Sequence, residues 1–515
     1  AALAVADSPG SEPGVDLVTL TLECDQPAQP PACALSFTQP SADIHATWTP
    51  GAGFYKGVRM DWSAPFDAKA TSQAPVVCLH GYSGENRLTF ACDEVLAPVR
   101  LRAGVREETG EFQCEVALFD APAPAATRYT LTLRLDTRAV PYHIALREVA
   151  RWWAAQPGNL PLPVPAAGRE PMYSTWYSFH QDFTAAELEA EAARARDFGC
   201  TAMIVDDGWQ TTDAHRGYAY CGDWEVAPAR IPDMRAHVDR VHTLGLRYLL
   251  WYSVPFIGIH ARNFSRFAGK YLYHIDRLQA SVLDPRFPEV REFLINTWVD
   301  AVRDWDLDGL KLDFVDRFDP SQTSVHAAVD GRDLADVMVA VDRLLSEATA
   351  RLRAVRADIL IEFRQTYIGP RMRHYGNLLR ANDCPNDSLR NRVSVLDIRL
   401  LADSTATHAD MLMWHPSDPV ESAALQLLNV LFAVPQISVR LDRVPVDHLA
   451  MLRHWLGFWR DWRCVLLDGD LAPLYPEHNY PVVLAASADG RTVAVAYTDA
   501  VVPVAAAPAG VLAVV

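Results

Sequence analysis

The sequence predicts a multidomain α/β protein in which a (β/α)8 TIM barrel is flanked by two β regions. Between residues 171 and 462, short apolar runs alternate with helical patterns, which is typical of parallel strands joined by helices. On either side of this region, short runs of alternating apolar and polar residues lie between Pro, Gly and Asp, which favours antiparallel strands. A chain of 515 residues is also long enough for two or three domains.

Composition and charge exclude several classes of partner. Half of the residues are hydrophobic and the formal net charge is -17, which indicates a globular protein and disfavours nucleic acid or an anionic membrane surface as a partner. No apolar stretch approaches the roughly 20 residues of a membrane span. The nine cysteines form no Cys-x-x-Cys pair, so we expect no metal site and no cofactor, although Cys24 and Cys33 could pair. A cytoplasmic location fits best, with secretion as the alternative.

Residues 1–165 are predicted to form an N-terminal antiparallel β-sandwich domain that ends in a linker. Alternating runs such as residues 17–22 and 129–135 indicate its strands, and a helix over residues 143–154 closes it. Residues 156–170 contain four prolines and two glycines, which indicates a linker.

The barrel is predicted over residues 166–463, followed by a short C-terminal β domain over residues 464–515. Thr184, with Glu187 three residues later, predicts a capped helix that runs to residue 198. The predicted barrel strands are residues 172–179, 201–205, 246–252, 309–314, 359–363, 377–380, 410–413 and 436–439. Further helices are predicted over residues 234–244, 289–305, 334–353, 388–400, 421–432 and 446–462.

The predicted fourth strand contains two charged residues in an otherwise apolar run. Lys311 and Asp313 are two residues apart, so in a strand they point to the same side. Burying unpaired charge is costly, which leaves a structural ion pair or a functional site as interpretations.

Charged and aromatic residues follow five successive predicted strands. In such barrels the reactive groups lie at the C-terminal strand ends, so these residues are expected to meet there. They are Asp206 and Asp207 after the second strand, Trp251 in the third, Lys311 and Asp313 in the fourth, Glu362 in the fifth, and Arg380 and Asp383 at the sixth.

Carboxylates accompanied by Trp and Arg, without a metal or phosphate motif, favour glycoside chemistry. A retaining enzyme needs a nucleophile and a proton donor about 5–5.5 Å apart. Asp313 suits the nucleophile, because Lys311 would lower its pKa. Asp383 suits the acid, because Cys384 and Pro385 make its surroundings less polar and a charged Asp313 nearby would raise its pKa. Asp387 is an alternative acid, or a helix N-cap.

These motifs resemble those of the retaining α-galactosidases of the melibiase type, glycoside hydrolase family 36. The resemblance covers residues 171–462 clearly and the flanking regions loosely. The motifs are Asp206-Asp207-Gly208-Trp209 with Gly222-Asp223-Trp224, Lys311-Leu312-Asp313, Arg380 with Asn382-Asp383 and Asp387, and Trp251 before Pro255.

The resemblance implies a role for each of these residues. Asp313 would form the glycosyl ester, and Asp383 would protonate the leaving oxygen and later activate water. The substrate would be an α-linked galactoside or a related oligosaccharide. The substrate-binding residues implied are Trp176, Asp206, Asp207, Trp224, Trp251, Lys311, Glu362, Arg380 and Asp387.

Two departures from the family pattern concern the walls of the sugar pocket. The family usually has a Cys and a run of glycines after the strand-five Glu, whereas Glu362 is followed here by Phe363-Arg364-Gln365-Thr366-Tyr367. The segment between Asp383 and Asp387 is also one residue longer, with Cys384 and Pro385 inside it. The sugar is therefore left open between galactose, N-acetylgalactosamine and another α-linked sugar.

Three other functions are compatible with parts of this pattern. A raffinose-synthase-like transglycosylase would use the same nucleophile with another acceptor. A catalytically silent carbohydrate-binding protein would lack one of the two carboxylates, and both are present. A metal-dependent hydrolase is disfavoured because His180, His215, His242 and His260 have no ligand spacing. A homo-oligomer is one possible assembly.

Overall fold

A parallel eight-stranded barrel forms the centre of the computed structural model, which describes residues 2–10, 12–364, 366–503 and 512–515. When the barrel strands are numbered along the chain, their order around the barrel is 7-6-5-4-3-2-1-8. Two parallel bridges, His408 with Val434 and Leu412 with Ile437, connect the seventh and eighth segments. The predicted fold class is confirmed. The barrel strands are Met172–Ser174, Ala202–Val205, Arg247–Ser253, Gly309–Asp313, Leu360–Arg364, Leu378–Arg380, Ala406–His408 and Gln436–Ile437.

Helices connect the barrel strands and cover the outside of the barrel. The capping box predicted at Thr184 is present: its hydroxyl accepts from the Glu187 amide at 3.4 Å, and Glu187 accepts from the Thr184 amide at 2.9 Å. The α-helices of the described residues are Tyr142–Ala154, Trp176–Phe179, Ala185–Asp197, Met234–Thr243, Pro288–Trp305, Val337–Val355, Met372–Tyr375, Ser388–Ala402, Val420–Leu428 and Val446–Asp468.

Two of the predicted barrel strands have the wrong bounds. The first strand ends at Ser174, and Trp176 begins a helical turn. The seventh strand is Ala406–His408 and not residues 410–413, because its polar side chains obscure the apolar signal. Buried His408 satisfies both ring nitrogens, one at 2.9 Å from the Gly168 carbonyl and the other at 3.1 Å from the Gln436 amide. Asp410 consequently lies beyond the strand end.

The N-terminal region is an antiparallel β-sandwich, as predicted. Its two sheets enclose an apolar core that includes Phe90, Leu101, Phe112 and Leu131. One sheet consists of Ala2–Pro9, Val15–Ala28, Ala46–Trp48, Val76–His80, Asn86–Cys92 and Ala126–Asp136. The other consists of Cys33–Pro40, Phe66–Ala68, Val99–Arg106 and Glu111–Leu118.

The proline-rich segment that was predicted as a linker packs against the N-terminal end of the barrel. Val164 and Ala167 contact an apolar cluster that includes Leu249, Leu360 and Leu378. A Cβ on Gly168 would lie 2.9 Å from the side chain of Leu378, so the segment packs closely against the barrel there. This segment therefore closes the end of the barrel opposite the predicted site.

The C-terminal residues form a small β-sheet beside the barrel. Its strands are Asp470–Leu474, Val482–Ala486, Thr492–Ala496 and Leu512–Val514. The helix Val446–Asp468 continues across the predicted boundary at residues 463 and 464. The predicted division into three domains remains a proposal, and the helix favours placing its last boundary after residue 468.

Neither the helices nor the cysteines introduce a feature that changes the predicted class. None of the helices among the described residues combines the length and apolar character that crossing a bilayer requires. All nine cysteines are free thiols, so Cys24 and Cys33 are not paired.

A buried polar cluster connects the three regions of the chain. Asp397, on the helix Ser388–Ala402, lies 3.4 Å from the ammonium of Lys56 and accepts from the Trp48 indole at 3.2 Å. The Tyr480 hydroxyl of the C-terminal sheet also donates to Asp397 and accepts from Trp48 at 2.9 Å. These side chains are almost fully buried. A single carboxylate therefore satisfies donors from both flanking regions.

Replacing Asp397 by Ala is expected to destabilise the protein by roughly 3–5 kcal/mol, because Lys56 would be left buried without its counter-charge. The control is Asp468→Ala, which removes a 2.8 Å pair with Arg169 in which the Asp468 side chain is 58% exposed. We expect the control to cost less than about 1 kcal/mol. Thermal unfolding of both variants tests this, and equal Tm values would contradict the role assigned to Asp397.

Candidate active site

Asp313 ends the fourth barrel strand, because the next residue, Phe314, turns into the left-handed region at φ 63°. The two oxygens of its buried carboxylate accept hydrogen bonds from different donors. Oδ1 accepts from the Arg364 guanidinium at 2.6 Å, the Phe314 amide at 2.7 Å and the Tyr367 hydroxyl at 3.2 Å. Oδ2 accepts from the Trp251 indole at 3.2 Å.

Asp313 is held in its ionised form. Burial by itself would raise its pKa, but the charges of Arg364 and Lys311 outweigh burial, and the pKa lies below the ordinary value. The predicted effect of Lys311 is therefore present, and Arg364 has the larger one. An ionised, buried carboxylate is what nucleophilic attack requires.

Lys311 forms its ion pair with Asp206 and not with Asp313, which is two residues away in sequence. Its ammonium lies 2.5 Å from Oδ2 of Asp206, and both side chains are about 4% exposed. The backbone amide of Asp206 donates to the Thr175 hydroxyl at 2.9 Å, which fixes the start of this loop. Lys311 thus bridges the second and fourth strands.

Asp207 is buried, and no cation among the described residues bonds to it. Its two oxygens accept from the side-chain amides of Gln181 and Gln210, each at 2.7 Å. Burial raises its pKa from 3.8 to about 7, the neighbouring charge of Asp206 adds to the rise, and the two amides limit it. This carboxyl group can therefore exchange a proton near neutral pH.

The raised pKa of Asp207 predicts a pH-dependent stability. Between pH 3.8 and about 7 the folded protein holds a proton that the unfolded chain has released, so the free energy of unfolding falls as the pH rises through this window. We expect Asp207→Asn to remove that fall. The difference in Tm between the variant and the wild type (variant minus wild type) should be at least about 2 °C more positive at pH 8 than at pH 5. An unchanged Tm difference at the two pH values would contradict the assignment.

Arg380 organises the sixth-strand end of the site. It is fully buried and its guanidinium contacts three carboxylates: Asp383 at 2.9 Å, Asp410 by a short contact, and Glu362 at 3.5 Å. Asp410 also accepts from the Tyr177 hydroxyl at 2.9 Å. Arg380 therefore carries the charge that allows this group of acids to be buried together.

Asp383 has a lowered pKa, contrary to the expectation for a resting proton donor. Burial acts to raise the pKa of Asp383, but Arg380, Arg364 and Lys311 together lower it to about 2. The three cations come from the fourth, fifth and sixth strands, and their combined charge outweighs the apolar surroundings from which a raised pKa was expected. In the unliganded site both Asp313 and Asp383 are therefore ionised.

The carboxylates of Glu362 and Asp387, both predicted to bind the substrate, are bonded to other groups of the protein. Glu362 is fully buried and accepts from the Gln436 amide at 2.5 Å, and burial raises its pKa. Asp387 is exposed and caps the helix Ser388–Ala402 by accepting from the Arg390 amide at 2.9 Å. The N-cap interpretation of Asp387 thus describes its observed contact.

Aromatic side chains form a wall next to Asp313. Trp251 packs edge-on against Trp224 with ring centroids 6.1 Å apart, and it stacks against Tyr218 at 6.3 Å. Trp224 stacks in turn on Trp209 at 6.0 Å. Trp176 is half-buried and stacks on His180 at 3.8 Å, apart from this group. The predicted tryptophans therefore occupy two places around the barrel mouth.

A cleft lined by residues of both regions lies between the barrel and the N-terminal domain. Its empty volume is about 650 Å³. Asn382, which precedes Asp383, and Thr366 lie on the barrel side, while Gly53 and Phe54 lie on the N-terminal side. A group bound at Asp383 could extend into this cleft.

Among the described residues, one group of side chains, Asp239, His242 and Asp306, has donor atoms close enough to hold a metal ion. It lies at the opposite end of the barrel, since Asp306 precedes the fourth strand. Arg235 contacts both carboxylates, at 3.0 and 3.4 Å, and thereby supplies their counter-charge. This group has no contact with the site residues above.

Three site residues were not predicted from the sequence. Arg364 was visible at the end of the fifth strand but was not assigned a role. Asp410 was hidden because the seventh strand was placed over it. Tyr367 lies beyond the end of the fifth strand, and no local pattern indicates that its hydroxyl reaches Asp313.

Comparison with known proteins agrees with the motifs. Residues 166–358 match the family model described as Melibiase. Alpha-galactosidase C of Emericella nidulans is 24% identical over 204 residues, which are 36% of this chain and 26% of that protein. Alpha-galactosidase Mel36A of Lactobacillus acidophilus is 26% identical over 156 residues, 28% of this chain and 20% of that protein. The matches span about a quarter of the length of these relatives.

Solved structures share the fold over almost the whole chain. The GH36 alpha-galactosidase AgaA of Geobacillus stearothermophilus, in complex with 1-deoxygalactonojirimycin, has a TM-score of 0.70 at 16% identity, covering 93% of this chain and 70% of that chain. TtGalA, an alpha-galactosidase of Thermus thermophilus, has a TM-score of 0.59 at 16% identity, covering 94% and 97%. The predicted resemblance is confirmed: residues 166–358 match the Melibiase family model, and the chain has the fold of GH36 alpha-galactosidases.

Proposed function

We propose that this protein is a retaining, exo-acting α-glycosidase, specifically an α-galactosidase. The observation that carries the proposal is the ionised carboxylate of Asp313 at the barrel mouth, electrostatically coupled to Asp383 two strands away. Arg364 supports this pairing, because it bonds to Asp313 at 2.6 Å and to Asn382, next to Asp383, at 2.9 Å. The relatives named alpha-galactosidases support the choice of sugar.

The mechanism is a double displacement at the anomeric carbon. A lone pair of Asp313 forms the bond to this carbon while the bond to the aglycone oxygen breaks, and that oxygen takes a proton from Asp383. Asp383, now ionised, then accepts a proton from water as the water oxygen attacks the same carbon. The Asp313 ester breaks and its electron pair returns to the carboxylate. Two inversions give net retention.

The two roles of Asp383 require different protonation states. Its lowered pKa in the free site suits the second step, in which it acts as a base. For the first step Asp383 must be protonated when the glycosidic bond breaks, because it donates a proton to the aglycone oxygen. An aglycone that covers Asp383 would remove water from a side chain that is 44% exposed in the free protein, and this desolvation would raise its pKa.

The remaining site residues are assigned to sugar recognition. Asp206 and Asp207 would accept from the O4 and O6 hydroxyls, while Lys311 and Arg380 would contact other hydroxyls. A sugar with a misplaced hydroxyl would leave a buried polar group unpaired, which can discriminate by about 10⁴-fold or more. Trp176, Trp224 and Trp251 would bound the ring. We assign Glu362 to orienting Arg380, and the cleft lined by Phe54 and Thr366 to the aglycone.

A panel of nitrophenyl glycosides tests the sugar directly. We expect turnover of the α-galactoside, with little turnover of the β-anomer or the α-glucoside. Preference for the α-N-acetylgalactosaminide would replace the proposed sugar, and transfer to sucrose would favour a transglycosylase. Binding of galactose without turnover of any member of the panel would favour a carbohydrate-binding protein. Since no metal is assigned a role, activity is expected to persist in a strong chelator.

A further inference from the structure

The two oxygens of the Asp313 carboxylate have unequal numbers of hydrogen-bond donors. Oδ1 receives three, from Arg364, the Phe314 amide and Tyr367, at 2.6, 2.7 and 3.2 Å. Oδ2 receives one from the described residues, the Trp251 indole at 3.2 Å. Donors concentrate negative charge on the oxygen that they contact and make its lone pairs less available. Oδ2 is therefore the better nucleophile of the two.

Arg364 is itself held in place on several sides. Its guanidinium donates to the Asn382 side chain at 2.9 Å and lies over the rings of Phe314 and Tyr367, 5.2 and 5.3 Å from their centroids. Tyr367 is buried, and its hydroxyl also accepts from the Phe314 amide at 3.0 Å. The donors around Oδ1 thus form a rigid group that prevents the carboxylate from exchanging its two oxygens by rotation.

We propose that Arg364 and Tyr367 are positioning residues that hold Oδ1 as the carbonyl oxygen of the glycosyl ester, so that Oδ2, facing Trp251, attacks the anomeric carbon. This inference rests on the proposed glycosidase function. In the first step the Oδ2 lone pair forms the bond to carbon as the aglycone leaves with its electron pair and a proton from Asp383. In the second step the oxygen of water forms the bond to carbon as Asp383 accepts its proton, the carbon–Oδ2 bond breaks, and its pair returns to a carboxylate that the three donors stabilise.

The two steps should respond differently to the loss of these donors. Charge leaves the carboxylate in the first step and returns to it in the second, so the donors oppose ester formation and assist ester hydrolysis. Without Arg364, hydrolysis should become slower than formation when the leaving group is good. The glycosyl-enzyme would then accumulate.

The test compares Arg364→Met with Arg364→Lys and Tyr367→Phe, using dinitrophenyl α-galactoside. For Arg364→Met we expect kcat to fall about 10- to 100-fold, which corresponds to the loss of one oriented donor of the kind that stabilises developing charge. KM should fall with kcat, and a pre-steady-state burst should appear. The acid limb of kcat/KM should move up by about 1 to 2 pH units, because the pKa of Asp313 would lose its nearest cation. Arg364→Lys keeps a positive charge, so its acid limb should shift less than that of Arg364→Met. Tyr367→Phe should show smaller changes in the same direction as Arg364→Met.

A crystal structure of the ester trapped with 5-fluoro-α-galactosyl fluoride would show directly which oxygen of Asp313 is bonded to the sugar. The carbon should be bonded to the oxygen that faces Trp251, with Arg364 still in contact with the other oxygen. An ester on the Arg364 side would overturn the inference, as would variants that lose activity without a burst or a pH shift. If the wild-type protein forms no ester and turns over no galactoside, the proposed function fails and this inference fails with it.

Discussion

Replacing Asp313 by Asn is expected to lower kcat/KM for nitrophenyl α-galactoside by on the order of 10⁴- to 10⁶-fold, the range seen when a catalytic nucleophile is removed. The amide cannot supply the anionic lone pair that forms the ester. The fold should survive, since Asn can keep an acceptor toward Arg364 and a similar volume. Steady-state kinetics and circular dichroism measure the two effects separately.

The matched control is Asp304→Asn, a change to an exposed carboxylate whose partner is Arg303 at 2.8 Å on a surface helix. Its kcat/KM should remain within about two-fold of wild type, since it is far from the chemistry. A second readout comes from Asp313→Ala with added azide. Azide should occupy the vacant position and yield the β-galactosyl azide by a single inversion. Unchanged turnover in Asp313→Asn, or an α-azide product from Asp313→Ala, would refute the nucleophile assignment.

Replacing Asp383 by Ala is expected to have an effect that depends on the leaving group. An alkyl aglycone needs a proton as it departs, so its kcat/KM should fall by about 10²- to 10⁴-fold, the usual contribution of a general acid. A dinitrophenyl aglycone leaves as a stable anion, so its kcat/KM should change little. Its kcat should still fall, because hydrolysis of the ester also loses its base.

Azide and a neighbouring aspartate provide the controls for Asp383. Azide needs no general base, so it should restore turnover of Asp383→Ala and give the α-galactosyl azide, the product of two inversions. Asp387→Ala should cost about 1 kcal/mol of helix capping without a leaving-group dependence. If Asp387→Ala shows the leaving-group dependence and Asp383→Ala does not, the acid/base role belongs to Asp387.

The order of elements was predictable because each follows from a local pattern. Apolar runs placed six of the eight barrel strands within a few residues, and the Thr184 capping box was correct to the residue. The seventh strand was misplaced because Ala406–His408 carries polar side chains whose partners, Gly168 and Gln436, are distant in sequence. A strand stabilised by such non-local hydrogen bonds leaves little local signal.

The composition of the site was predictable to a smaller extent. Strand ends in a parallel barrel meet at one mouth whatever the loops do, so the pairing of Lys311 with Asp206 and of Arg380 with Asp383 agrees with that rule. The pKa of Asp383 was predicted in the wrong direction, because Arg380 at the end of its own strand, and Arg364 and Lys311 from two other strands, lower it. Electrostatic shifts depend on every charge within several ångströms, and most of those charges are remote in sequence.

The sequence alone determines the barrel, the resemblance to the melibiase family and the identity of the acidic residues at the barrel mouth, because periodicity and strand-end position are properties of neighbouring residues. Only the tertiary structure decides which charge faces which oxygen: that Lys311 bonds to Asp206, that Arg364 and Tyr367 bond to one oxygen of Asp313, and that Asp207 accepts from side-chain amides. These contacts join segments tens to hundreds of residues apart. They form only when the barrel closes, and they set the protonation states on which the proposed chemistry depends.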